Sequence, residues 1–263
     1  MPVAHLTHGW EPELDASDSV LRRFVLATAD RGEAVARAVG GRARRTEVIS
    51  AADPASPVMF DNAVVVLQPP AYVDLRDELA DALAWYPPER HVAVLSPFPT
   101  PDLGPLGLSL MGHPPLMFRP AGGVAPPPPH GLTIDEVTSE PELGEFVRTL
   151  VEAYPMPGGE SSGIADPRVL GGSIRLFVGR VDGVAVATSG ARIGHGVNDV
   201  EWVSTLPSHR RRGIGEAVTW AATLADPALP AVLIASDDGQ GVYEAMGYVR
   251  LLRLTMWHRP PRT

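Results

Sequence analysis

The sequence contains no cysteine, which removes disulfides, thiolate chemistry and the usual cysteine-based zinc sites, and fits a reducing compartment. No apolar run approaches the ~18 residues that a membrane helix needs, and the opening MPVAHLTHGWEPELDASD lacks the basic start and apolar stretch of a secretion signal. A cytoplasmic protein with no membrane partner is expected. Positive charge is also short. The chain has 22 Lys and Arg against 31 Asp and Glu, a formal net charge of −9, so most of the surface repels nucleic acid and anionic lipid. The basic, aromatic-rich surface of a nucleic-acid binder is missing as well. Any anion must therefore find a local basic site.

What is present is an ordinary soluble composition: 44% hydrophobic and 20% charged residues, enough for a buried core and far from that of a disordered chain. A length of 263 residues accommodates two modest domains. The boundary falls at 122–131, GGVAPPPPHG, where four consecutive prolines and flanking glycines interrupt any helix or central strand. This reads as a polyproline II linker between domains 1–121 and 132–263, with a Pro-rich surface loop inside one domain as the alternative.

Before the linker, Val20, Phe24, Ala27, Val35 and Val39 keep a helical rhythm over 19–39, with Gly32 as a potential break. Val64, Val65 and Val66 form a β-branched run that reads as a buried strand. Leu75, Leu79, Ala82 and Leu83 follow at helical spacing, and 91–95 reads as a strand, so this part is α/β. After the linker, 132–136 reads as a strand. Ser139 and Glu142 then form a capping box ahead of an apolar stripe from Leu143 to Tyr154. Strands at 174–179, 184–193 and 200–206 are separated by turn signals at Asp182-Gly183 and near Gly194, Gly196 and Asn198. A helix over 213–225, a strand over 231–235, a short helix over 240–246 and a strand over 251–257 complete the order. Such an order predicts a mixed sheet covered by helices.

The segment from Val203 to Gly215, VSTLPSHRRRGIG, joins a strand to a helix through a turn with three arginines and two glycines. Such a turn suits phosphate. Glycines let backbone N–H groups approach, the helix N-terminus adds about half a positive charge, and arginines add full ones. Read without this context, three arginines in a row are a solvated patch.

Arg210-x-x-Gly213-x-Gly215 after a strand resembles the signature of the GCN5-related N-acetyltransferases. The stretch from Leu233 to Tyr248, LIASDDGQGVYEAMGY, resembles the same family's second segment, about 30 residues downstream. The resemblance covers roughly 132–257. It implies the acyl-CoA N-acyltransferase fold, preceded by a smaller α/β domain, and an enzyme that uses acetyl-CoA without a metal. Under it, Val203, Ser204 and Thr205 lie along the pantetheine arm, as an extended ligand pairs with a strand. Arg210, Arg211, Arg212, Gly213, Ile214, Gly215 and Glu216 cradle the diphosphate, and the N–H of Val203 or a neighbour polarises the thioester carbonyl. Ser236 stands where many members have Asn. The implied reaction is direct attack of a neutral amine on the thioester, with Tyr243 as proton donor to the leaving thiolate. Glu201 is the carboxylate placed to take the ammonium proton, or else a salt-bridged strand residue. Glu152 and Glu160 are expected to attract a cationic acceptor, on a side lined by 154–166, whereas His195 and His209 read as surface residues. A small molecule or a peptide amine fits as acceptor. A module that binds acyl-CoA without turnover is the competing reading.

The stretch 108–119, LSLMGHPPLMFR, echoes 244–256, EAMGYVRLLRLTM, which raises the prospect of a second, degenerate copy of the same fold in the first half, set against chance likeness between short apolar strings. Its turn at 68–74, QPPAYVD, has neither glycine nor arginine. No CoA is expected there, and the copy is left to shape the acceptor pocket or to build a homodimer.

Overall fold

The computed structural model describes residues 19–69, 75–154 and 158–261. Two mixed sheets are present. The first contains β1 (Arg42–Arg45), β2 (Ile49–Asp53), β3 (Ala63–Val66), β4 (Val92–Ser96) and β5 (Ser109–Gly112). The second contains β6 (Pro115–Arg119), β7 (Leu132–Glu136), β8 (Ile174–Val181), β9 (Val184–Gly194), β10 (Val197–Thr205), β11 (Ala231–Ile234) and β12 (Val249–Arg253). The last strand, β13 (Thr255–Arg259), returns to the first. The orders are β1-β2-β3-β4-β13-β5 and β12-β6-β11-β10-β9-β8-β7.

Each sheet thus takes its strand beside the parallel pair from the other half of the chain. β13 pairs with β4 in the first sheet, and β6 pairs with β11 in the second. A division at 122–131 leaves β6 on one side and β13 on the other, so the two sheets do not follow it there. The sequence-predicted final strand at 251–257 is two strands, β12 and β13, on different sheets. A single residue, the buried Leu254, carries the chain between them.

The helices sort by what they cover. α2 (Leu75–Trp85) packs Leu75, Leu79, Ala82 and Leu83 on one face of the first sheet. α3 (Glu140–Ala153) and α4 (Ile214–Thr223) each cover β8, β9 and β10 of the second. α5 (Asp237–Ala245) leads into β12. α1 (Val20–Ala38) lies across the join. Phe24, Val25, Ala27 and Ala29 share one apolar cluster with Val65 and Leu95 of the first sheet and Leu116, Val197 and Val232 of the second. Burying a side chain such as Phe24 is worth roughly 2–3 kcal/mol, so this helix cements the two halves. It runs unbroken through Gly32, where a Cβ would stand 3.3 Å from that of Ala52. The expected break is instead a close approach of helix to sheet.

The sheets also share a topology. β3 pairs antiparallel with β2 and parallel with β4, as β10 does with β9 and β11. Pro115–Arg119 and Thr255–Arg259 hold corresponding places and both are followed by proline, Pro120 and Pro260. The internal echo is therefore a repeat of fold, in a register different from the one the sequence suggests.

Candidate active site

β10 is held along only part of one edge. Toward β11 it pairs at Asn198, Asp199 and Val200, and beyond Val200 no further position pairs with β11. Toward β9 it stays paired, but one extra residue enters between Glu201 and Ser204, opposite the step from Gly190 to Thr188. That bulge places Trp202 at φ +54°, a left-handed backbone that a bulky residue adopts only under constraint. The Thr188 hydroxyl donates to the Trp202 carbonyl at 2.8 Å and contacts the Ser204 hydroxyl at 2.7 Å. The Ser204 side chain is thus turned inward, and of 203–205 it is the backbone edge that stays open toward the gap.

At the end of β10 the chain makes a 3-10 turn at Pro207–His209 and enters α4 through Gly213, its N-cap, at φ +74°. No side chain caps this helix. Its first N–H groups and the positive end of its dipole face outward beside Arg211 and Arg212, both exposed. A Cβ on Gly215 would stand 3.1 Å from the Thr205 hydroxyl, so glycine keeps the strand end and the helix start together. Arg210 has another task. Its guanidinium donates to the carbonyls of Thr205 at 3.1 Å and Ala153 at 3.0 Å, fastening the turn to α3.

Across the gap, Tyr243 on α5 is buried, with its ring against Gly239, where a Cβ would come within 2.9 Å. Burial, reinforced by the nearby Glu201 carboxylate, pushes its phenol up to about 12. Among the described residues its hydroxyl makes no hydrogen bond. The Ser236 hydroxyl accepts from the Gly239 N–H at 3.2 Å and so caps α5. Glu201 is not free: Arg31 of α1 holds it at 2.8 Å. The same guanidinium binds Asp199 and lies 5.8 Å from the centroid of the Trp202 ring. Asp199 is fully buried with one oxygen unpartnered, and burial lifts its carboxyl to about 7 even though Arg31 pulls it down. Arg31, Asp199 and Trp202 escaped the sequence reading. The signal available was the polar run Asn198-Asp199-x-Glu201 inside an otherwise buried strand.

The turn following α3 meets the first half. Asp61 accepts from the Ser162 hydroxyl at 2.8 Å and from the Gly163 N–H at 2.9 Å, and a Cβ on Gly158 would strike Pro57 at 2.4 Å. Residues 155–157 of the expected acceptor segment, and most of the turn 68–74, lie outside the described residues. Glu152 and Glu160 are exposed, His195 bonds Asp30, and His209 contacts Ser208. Among the described residues no group of three or more His, Asp or Glu is placed to hold a metal ion, and no helix is long and apolar enough to cross a membrane.

The sequence matches no family model, and no curated protein matches it. Solved structures do match. A GCN5-related N-acetyltransferase from Kribbella flavida superposes with TM-score 0.64 at 25% identity, over 89% of this chain and 95% of that one. A protein of Novosphingobium aromaticivorans assigned to the GNAT family superposes with TM-score 0.56 at 18% identity, over 84% and 92%. A GCN5-related N-acetyltransferase from Sphaerobacter thermophilus does so with TM-score 0.51 at 15% identity, over 76% and 72%. The first two likenesses span nearly the whole length of their partners, so the two-sheet arrangement is shared and not peculiar to this chain.

Proposed function

We propose that this chain, a GCN5-related N-acetyltransferase by fold and by its Arg210-x-x-Gly213-x-Gly215 turn, transfers an acetyl group from acetyl-CoA to a primary amine. The observation that carries the reading is the parting of β10 from β11 after Val200, directly before an uncapped helix N-terminus flanked by arginines. An extended arm ending in a diphosphate fits that combination. Open strand edge receives the amide-bearing arm, and helix N–H groups with Arg211 and Arg212 receive the anion. Bound acetyl-CoA supplies a thioester, whose acyl carbon an amine can attack and whose sulfur can leave. The backbone at 203–205 orients that arm, Arg210 fixes the turn, Gly213 supplies the left-handed entry to α4, and Gly215 lets the helix start lie against Thr205.

Tyr243 holds its proton at the phenol oxygen throughout the neutral range, since its pKa is pushed up to about 12, and so can serve as the acid. Glu201, on the same side as Arg31 and Asp199, is the candidate to receive the ammonium proton, directly or through water. The net charge of −9 favours a cationic acceptor, small molecule or peptide. A second reading, a module that binds acyl-CoA without turnover, draws on the engagement of Glu201 by Arg31.

One experiment tests both readings: calorimetry with CoA, together with thiol release from acetyl-CoA over a panel of amines. Tyr243→Phe is expected to lower turnover by about a hundredfold while leaving CoA affinity within twofold or so. Undiminished turnover removes the acid role. Binding without turnover on any amine favours the second reading, and absence of heat with CoA overturns the proposal.

A further inference from the structure

We infer that Arg31, carried by the first half of the chain, is the positioning residue of this active site: its guanidinium sets the angle at which β10 leaves β11. The inference rests on the acetyl-CoA reading above. From Glu201 onward β10 has no strand on its β11 side, so its course is fixed by β9 and by what packs against its faces. Thr188 fixes it from β9 by gripping the Trp202 carbonyl. Arg31 fixes it from α1. It binds the carboxylates on either side of Val200, the last residue paired with β11, and lies against the ring of the left-handed Trp202. One planar fork thus spans four successive residues of the strand that is to carry the thioester, a task suited to guanidinium and poorly done by a point charge.

Among the described residues no other side chain bonds either carboxylate. The charged and titratable groups facing the pair are Arg192 from β9 and Tyr243 from α5, with Asp30 and Arg45 behind Arg192. Arg192 makes its ion pair to Asp30, at 3.4 Å, and none to Asp199 or Glu201. Its Nε and Nη1 are buried without partners. Removing Arg31 leaves two carboxylates facing one another on the same side of a strand, one of them fully buried, and like charges so placed push apart. The bulge between them would open or shift, and with it the backbone edge at 203–205. A displacement of about 1 Å there is enough to cost up to about a hundredfold in a positioned reaction or binding step.

The test uses the full chain and CoA itself as the probe, by calorimetry at pH 8 with a urea midpoint on the same samples. Arg31→Met is expected to weaken CoA binding by about tenfold to about a hundredfold. Arg31→Lys restores the charge without the fork and is expected to recover only part of that loss, lying between Arg31→Met and wild type. Arg37→Met is the control: it removes an exposed guanidinium from the buried Glu33 on the same helix, which Arg45 and Ser50 still hold, and should bind CoA as wild type does. A merely structural role, tying the halves together, would lower the urea midpoint of Arg31→Met without a loss of affinity in the folded fraction. Wild-type affinity in Arg31→Met or in Arg31→Lys overturns the inference and leaves the acetyl-CoA reading intact. Failure of the wild type to bind CoA overturns both. If Arg31→Met does not fold, Arg31→Lys carries the test, with an affinity below that of wild type expected and an equal one overturning the inference.

Discussion

β3 and β10 occupy the same place in their two sheets, each between an antiparallel neighbour and a parallel one and each followed by a helix that leads to the parallel partner. Their contents differ. β3 is Ala63-Val-Val-Val66, almost wholly buried and regular. β10 carries Asn198, Asp199, Glu201, Ser204 and Thr205, contains a bulge, and holds a tryptophan in the left-handed region. Buried polar groups and strained backbone each cost stability, and they persist where the surroundings over-determine them. The β3 position serves the core alone. The β10 position gives up stability for an open edge, and the cost is met from outside its own half, by Arg31 and α1.

The comparison predicts that the two halves fail in different currencies. Trp257 belongs to the last strand but fills the core of the first sheet, where its ring N–H donates to Thr100 at 3.1 Å. Trp257→Ala is expected to cost about 4 kcal/mol. Because each sheet holds a strand of the other half, urea unfolding should remain one transition for the whole chain. CoA affinity of the folded fraction should be unchanged. Two separated transitions would break the comparison, since the halves would then be independent units despite the exchanged strands.

Gly215→Val is the complementary change. Its Cβ would crowd the Thr205 hydroxyl, already 3.1 Å from the position it must take, and push the strand end off the start of α4. A loss of about tenfold or more in CoA affinity is expected, the worth of one charge-assisted hydrogen bond, with only a small shift in melting temperature. Calorimetry and a thermal scan on the same sample check it. Equal losses of affinity and stability would mean that the turn belongs to the core, as β3 does.

Much of this was legible in the chain, for local reasons. The Asp182-Gly183 turn has both residues at positive φ, as the tight hairpin between β8 and β9 requires, and the capped helix and Val-rich β3 stand where their patterns put them. β1, Arg42–Arg45, was not legible, since one alanine among three arginines carries no apolar alternation. β6 was hidden by Pro114-Pro115, which reads as a break. Pro115 in fact opens the strand, where its missing N–H is tolerated. The step from β12 to β13 passes through Leu254 with no glycine or proline to mark it. In the site, the Gly and Arg turn could be read because its chemistry is contiguous. Arg31 could not, because its contact with Asp199 spans 168 positions and nothing in the sequence around it names a partner.

The smallest expected effect concerns how each half starts its leading helix. Glu142, in the first turn of α3, reaches back to accept the N–H groups of Thr138 at 2.8 Å and Ser139 at 3.0 Å, together with the Thr138 hydroxyl. The Thr138 N–H foremost, with Ser139 beside it, pulls its carboxyl down to about 2 from an ordinary 4.5. α1 begins at Ser19 with no side-chain cap and relies on its contacts with both sheets. A carboxyl held below its unfolded value stabilises fully above about pH 4.5 and loses that contribution as pH falls to about 2. Glu142→Gln should therefore lower the urea midpoint at pH 7, with the gap to wild type closing between pH 4.5 and 2. Ser19→Ala should leave the midpoint unchanged at every pH. A gap for Glu142→Gln that persists at pH 2 would assign the glutamate's value to packing instead of charge. The local cap would then no longer separate the helix that packs on the second sheet from the helix that joins the two halves.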